Sequence, residues 1–340
     1  MLKCAIYIKD IMRVVGVWML LPLLCVSCID EDLSGCGADY NVVYNVQLVT
    51  NITTEVRTEL TTVAEVELGK RLQSALANVF SDHAHDIDLS FFESDSTLSY
   101  HESHVMNNNT ASFTIYLPKK EYMHLSVANK GLEESVYVEN GGMAQHMKLR
   151  QVDADEIESH STGLFTARAA MHIADEDQTF DVHLYMQNSA AAVVLEPNGN
   201  EVKSVKAYMR GLANSFAVRD SVYTYDTDTK IKALTLDDTG SDLLCLYGVG
   251  FPSRDTAQQT KSLTDLGDEE GIWQYDVYVT MPDDKVTLTT LNVKVPLKAA
   301  DLMIIKTVVN ADGSLSPNNP EVGASVELDW KPGGVYEPEV

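Results

Sequence analysis

Alternation with a period of two runs through most of this chain. In "YNVVYNVQLV", which begins at Tyr40, the residues Val42, Tyr44, Val46 and Leu48 share one face, and Asn41, Asn45 and Gln47 share the other. Successive side chains of a strand point to opposite faces, so this stretch reads as a half-buried strand. The period then changes. Leu68, Leu72, Ala75, Leu76 and Val79 recur at helical spacing and predict a helix over 62–80. Strand patterns resume at 87–92, 111–118 and 122–129, and a short strand at 146–150 closes a first unit. "QVDADEIESHST" (151–162) is polar and acidic, so 152–162 is expected to link two domains.

The second unit is almost all strand, with alternating segments at 180–187, 190–197, 202–211, 272–282, 286–297, 302–310 and 323–330. In the last, Ala324, Val326, Leu328 and Trp330 alternate with Ser325, Glu327 and Asp329. Turn signals such as "EPNGNE", "MPDDK" and "NADGS" separate these segments. Many short alternating strands with few helices argue for antiparallel β-sandwiches. No fixed short repeat is present, which excludes a solenoid or a propeller. The expected layout is an N-terminal β-sandwich domain at 40–151 carrying the one helix, and a C-terminal β-sandwich domain at 163–340.

Composition agrees with a packed fold. Of 340 residues 45% are hydrophobic and only 22% charged, so a sizeable core can form. The net charge is −25, from 50 acidic and 25 basic side chains. Such a surface repels phosphate backbones and has no polybasic attraction to anionic lipid, so nucleic acid is excluded as a partner. Any membrane attachment must be apolar or covalent.

The N-terminus supplies one. Lys3, Lys9 and Arg13 precede the apolar run from Val14 to Val26. That run is short of the roughly 20 residues a membrane-spanning helix needs, so it reads as the apolar region of a signal peptide. Asp10 is unusual in such a leader, and Met12 is an alternative start. Val26 and Ser27 are small, and Cys28 follows, as in the bacterial lipobox whose cysteine receives lipid after cleavage. Cys25 stands three places before the cut, where the lipobox usually has Leu; Leu24 is one place further back. An ordinary secretory leader cut nearby is the alternative. On the lipobox reading 1–27 is the signal peptide and Cys28 the lipidated residue. The acidic, glycine-containing "CIDEDLSGCGAD" (28–39) is then a tether. Losing three basic groups and one acidic group with the leader takes the net charge to −27. Cys36 and Cys245 remain, and an exported chain is free to pair them. Cys245, in the apolar "LLCLYGVG", reads more simply as a buried thiol.

Few residues suggest catalysis. In "SDHAHDID" (81–88) an extended backbone would point His83 and His85 one way and Asp82, Asp86 and Asp88 the other. Two imidazoles at that spacing chelate zinc from one strand only with a third ligand, for which His101 and His104 are the candidates. A turn followed by a strand explains the same residues without metal, and no metal ligand is assigned. The acidic "YDTDTK" (225–230) and "LDDTGSD" (236–242) lack the twelve-residue calcium loop and read as hairpin loops. "GVGF" (248–251) lacks dinucleotide-binding spacing, and neither a Gly-x-Ser-x-Gly elbow nor a phosphate loop occurs. The expectation is a non-enzymatic protein without cofactor.

The cysteine at the leader's end, "IDEDLSGC" after it, the first strand near residue 40, "VFSDHAHDIDLSFF", "YLPKKEYMHLSVAN" and the terminal "ASVELDWKPGG" together resemble the fimbrillin-A-associated anchor proteins. These are minor-fimbria anchoring lipoproteins of Gram-negative anaerobes. The resemblance covers nearly the whole chain. It implies two tandem transthyretin-like β-sandwich domains, lipid on Cys28 in the outer membrane, and a place at the base of a fimbrium. The acidic residues after Cys28 resemble that group's signal for export to the outer leaflet. The implied partner is a fimbrial shaft subunit, joined by strand exchange, in which an extended segment completes a neighbour's sheet. A shaft subunit loses its first strand to a protease and opens a groove; an anchor that keeps its lipid keeps that strand. Two alternatives are a shaft or tip subunit cut after Arg57 or Arg71, and a surface glycan-binding lipoprotein with Trp273 and Tyr275 as its aromatics.

Overall fold

The computed structural model describes residues 39–49, 62–81, 83–106, 112–141, 143–225, 229–255 and 272–327. The leader, residues 28–38 with Cys28 among them, Arg57 and residues 328–340 lie outside them. The described chain is mainly β, with one helix, α1 (Val63–Ala75). Thr62 and Glu65 start it with reciprocal bonds: the Thr62 hydroxyl accepts from the Glu65 N–H at 3.3 Å and the Glu65 carboxylate from the Thr62 N–H at 2.9 Å. Leu68, Leu72 and Leu76 form its fully buried stripe. The helix stops earlier than the expected residue 80. Val79 and Phe80 instead bond to the Leu76 carbonyl at 3.0 Å each, a tight turn that keeps both side chains buried and so preserves the apolar spacing.

Four sheets follow. A seven-stranded sheet runs β3 (Leu98–Val105), β2 (Asp86–Phe92), β5 (Glu121–Ala128), β9 (Phe165–His172), β10 (Gln178–Met186), β1 (Asp39–Val49), β4 (Ser112–Pro118). A four-stranded sheet of β14 (Val222–Thr224), β13 (Ser215–Ala217), β7 (Lys148–Gln151) and β6 (Val136–Glu139) covers one face of it. A five-stranded sheet runs β16 (Leu234–Thr235), β17 (Leu244–Gly250), β11 (Ser189–Glu196), β20 (Leu302–Val309), β21 (Leu315–Pro317). A six-stranded sheet runs β22 (Val322–Glu327), β19 (Val286–Val293), β18 (Trp273–Thr280), β12 (Ser204–Arg210), β15 (Lys230–Lys232), β8 (Glu156–Glu158). The sequence-predicted strands fall within two residues of these, except that 286–297 ends at Val293 and that 323–330 is described only as far as Glu327.

Three cores lie between the layers. Phe92, Leu125 and Val127 meet Leu149 and Phe216 between the seven- and four-stranded sheets. Val42, Tyr44, the helix leucines and Ala190, Ala192 and Val194 of β11 meet between the seven- and five-stranded sheets. The other face of β11, with Ala191, Val193 and Leu195, packs on Met209, Trp273, Tyr275 and Val277 of the six-stranded sheet. β11 is therefore buried on both faces, which is why "AAAVVL" (190–195) is continuously apolar. Most strand pairs are antiparallel, but β1 with β10, β11 with β20 and β15 with β8 are parallel.

The sheets do not divide the chain at 151 and 162 as expected. β9 and β10 hydrogen-bond into the same sheet as β1 and β5, and β6 and β7 share a sheet with β13 and β14. The segment 152–162 is exposed at 153–156 and built in beyond them. Ile157 is buried, β8 pairs with β15, and His160 is 1% exposed. The end of the segment, from Ser159 to Thr162, has internal partners. The buried Glu133 carboxylate accepts from the N–H groups of Ser135 (3.0 Å), Ser161 (2.7 Å) and Thr162 (2.9 Å) and from the Ser161 hydroxyl (3.3 Å). His160 lies 3.0 Å from the Asn188 amide nitrogen, while the Asn188 oxygen holds the Leu164 N–H at 2.5 Å. Gly163 follows where a side chain has no room: a Cβ would stand 2.0 Å from the Val79 carbonyl oxygen.

Candidate functional site

β1 is the element on which the functional reading turns, and it sits inside its sheet rather than at an edge. It pairs in parallel with β10 from Val42↔Gln178 to Val49↔Tyr185, and antiparallel with β4 from Asp39↔Pro118 to Asn45↔Ser112. The alternation read from the sequence is the one observed. Val42 and Tyr44 are fully buried, Val46 nearly so, and Asn41 and Asn45 face outward.

The inner face carries a buried polar contact. The Tyr44 hydroxyl lies 2.5 Å from His124 Nε2, and His124 Nδ1 lies 3.0 Å from the Ser90 carbonyl oxygen. A carbonyl only accepts, so Nδ1 carries the proton, Nε2 is the acceptor and Tyr44 donates. Phe91 stacks on the imidazole at 4.4 Å between centroids. Complete burial pushes the His124 pKa down to about 3, so the ring is neutral, and burial pushes the Tyr44 phenol up.

The outer face is polar. The Asn41 backbone N–H and side-chain amide both donate to the Asp177 carboxylate, at 2.9 and 3.1 Å. The Asn45 amide donates to Asp181 at 2.8 Å; Tyr40, on the core side at the start of the strand, reaches Asp175 with its hydroxyl at 3.4 Å. Hydrogen bonds from Lys119 and from Asn41 lower the pKa values of Asp175 and Asp177 respectively. The Tyr-Asn pair thus recurs at 40–41 and 44–45, and the asparagines meet Asp177, just before β10, and Asp181 within it, at the same spacing. The sequence shows that repeat; its partners, about 135 residues away, are set only by the parallel pairing.

The other sequence candidates are dispersed. His83 and His85 precede β2, are exposed, and border a cleft of about 790 Å³ with Asn78, Val105 and Leu132. The strand begins at Asp86, so the expected alternation over 81–88 holds only for its end. His101 and His104 point to opposite faces of β3: His101 lies 3.7 Å from the buried Asp88, while His104 stacks on Phe113. Asp82 lies outside the described residues. Among the described residues no group of three or more His, Cys, Asp or Glu could hold a metal ion. In "LDDTGSD" Asp238 pairs with Arg71 of α1 and caps the Gly240 N–H, so the loop docks on the helix. Trp273 and Tyr275 are core residues, 1% and 0% exposed, and the Trp273 indole donates to the Val295 carbonyl at 3.0 Å. They offer no surface to a glycan. Cys245 is a buried free thiol. No helix among the described residues is long and apolar enough to cross a membrane.

Comparison with known proteins agrees with this architecture. No curated protein sequence matches the chain. A "putative adhesin" from Bacteroides ovatus shares the fold with a TM-score of 0.52 at 10% identity, over 90% of this chain and 99% of that one. The fimbrial anchor protein Mfa2 from Porphyromonas gingivalis aligns with a TM-score of 0.46 at 12% identity, over 85% of this chain and 98% of that one. The tip fimbrial protein Mfa3 from the same organism aligns at 0.43 and 12% identity, over 86% of this chain and all of that one. The family model for fimbrillin-A associated anchor proteins Mfa1 and Mfa2 matches residues 50–332, and this chain belongs to that family.

Proposed function

We propose that this protein is a non-enzymatic, lipid-anchored subunit of the outer membrane that holds a fimbrium to the cell and starts its assembly. Cys28 carries the lipid, 28–39 is the tether, and the β-sandwich units follow. The observation that carries the reading is the seated β1. With β1 paired on both sides and its alternate residues in the core, the seven-stranded sheet has no vacant position there, so growth begins at this subunit rather than passing through it. The alternative of a shaft subunit cut after Arg71 fits poorly. Arg71 lies within α1 and pairs with Glu67 and Asp238, and a protease that reads an extended substrate meets it only after the helix unfolds. Contact with the shaft subunit falls to the edge of the six-stranded sheet. There β22 pairs with β19 alone among the described residues, and Ala324, Ser325 and Val326 are exposed. An exposed strand edge is a template for strand addition.

Mass spectrometry of the N-terminus of the native protein tests this. The expected mature chain begins at acylated Cys28; one that begins after Arg57 makes it a shaft or tip subunit. Each buried acyl CH₂ contributes about 0.8 kcal/mol, so several chains on one cysteine suffice for stable attachment. Cys28→Ala is expected to release the protein to a soluble fraction or to leave an uncleaved precursor. Wild-type fractionation and maturation of that variant removes the lipoprotein from the mechanism.

A further inference from the structure

Backbone pairing and apolar alternation would accept many strands in the position β1 occupies. Its polar contacts would not. His124 is wholly buried with its Nε2 directed at Tyr44, so an occupant lacking a hydroxyl there takes away the donor that a buried acceptor uses. On the outer face Asp177, just before β10, and Asp181 within it each receive an asparagine amide, and both pairs are spaced by four residues. In a parallel pair a slip by one residue would carry Tyr44 to the solvent face and the asparagines inward, so both sets of contacts fix a single register.

We propose that the β1 position is keyed: it selects a strand by the pattern Tyr-Asn-x-x-Tyr-Asn, with the Tyr44 hydroxyl on His124 and Asn41 and Asn45 on Asp177 and Asp181, and thereby rejects donor strands that offer alternation alone. This rests on the reading above in one respect, that neighbouring subunits present such donor strands. It adds that β1 is retained by recognition and not only by escaping proteolysis. The chain's own C-terminal segment at 322–330, "VGASVELDW", alternates but has neither tyrosine nor asparagine. It is the natural non-matching competitor, and its exclusion would stop the protein from polymerising with itself.

The test uses the full exported chain with a site-specific protease sequence inserted between residues 50 and 61. After cleavage β1 is held only by its contacts, and labelled peptides compete for the position. The native 39–49 peptide is expected to exchange in. The Tyr44→Phe peptide is expected to bind about tenfold more weakly, the scale of one unsatisfied buried group. A peptide that also carries Asn41→Ala and Asn45→Ala is expected to bind more weakly still, and the 322–330 peptide not to compete. Equal binding of the native and triply substituted peptides, within about twofold, overturns the proposal. Where no peptide enters because β1 never leaves, amide exchange on the intact chain decides: Tyr44→Phe should speed opening of β1 about tenfold, and unchanged exchange overturns the key. A native N-terminus lacking Cys28 would sink the anchor reading and leave these peptide results standing, so the two failures are distinguishable.

Discussion

Replacing Glu133 by Gln isolates the contribution of the node that fixes the segment 152–162. The carboxylate is 6% exposed and accepts from three backbone N–H groups and one hydroxyl. Glutamine keeps one acceptor oxygen and turns an NH₂ group toward the remaining donors. With its oxygen placed on Ser161 and Thr162, the Ser135 N–H at 3.0 Å loses its acceptor; the opposite rotamer loses two backbone donors. The better rotamer therefore leaves one buried donor unmatched, worth about 1–3 kcal/mol, and the surviving bonds weaken because the acceptor is no longer charged. The expected destabilisation is about 2–4 kcal/mol, read as a lower urea midpoint at unchanged slope. Glu121→Gln is the control, since its pair with His172 is exposed on both sides and worth below about 1 kcal/mol. Hydrogen exchange localises the effect: the Ser161 and Thr162 amides should exchange much faster in the variant. A shift under about 0.5 kcal/mol, with those amides as protected as before, would refute the claim that Glu133 organises the segment.

Two further predictions follow from burial. Trp273→Ala removes a core indole and its bond to the Val295 carbonyl, and should destabilise by about 3–5 kcal/mol in chemical unfolding, whereas an exposed tryptophan would cost little. Acid should destabilise the protein through its buried histidines. The His124 pKa falls from 6.5 to about 3 and that of His160 from 6.5 to about 4, in both cases through burial. Between pH 6.5 and those values the unfolded chain binds more protons than the folded one, so stability rises with pH across that window and falls on acidification. Urea midpoints at pH 7 and pH 4.5 check this, and His124→Phe together with His160→Phe should flatten the dependence.

The strands and the helix were legible where one face meets the core and the other meets water. β1 alternates cleanly for that reason, and α1 shows its leucine stripe. β3 went unread because its core-side positions include Glu102 and His104, which satisfy the hydrophobic pattern poorly yet pack on Phe113 and bond to Tyr100. The segment 152–162 was misread for a related reason. Its polarity resembles that of a solvated linker, but Glu133 and Asn188, each 28 residues from the group it meets, supply internal partners to its end. β9 and β10 lie beyond the expected boundary because pairing between β1 and β10 spans about 136 residues, a distance that no local pattern encodes. The same holds for the candidate site. Tyr44, Asn41 and Asn45 are visible in the sequence as faces of a strand, whereas His124, Asp177 and Asp181 become their partners only through the fold.

The interior position of β1 has a mechanical consequence. If lipid on Cys28 anchors the protein as proposed, traction enters through the residues before Asp39 and therefore reaches β1 first. A pull directed along a strand loads its lateral bonds together, because those bonds run across the strand axis. β1 holds eight register pairs on one side and seven on the other, so such a pull shears them at once instead of peeling them singly from an edge. The Tyr44 and Asn45 contacts add resistance to sliding along the same axis. A fimbrium under flow would then be held by a shear clamp whose lifetime is set by the rate of forced unfolding rather than by equilibrium stability.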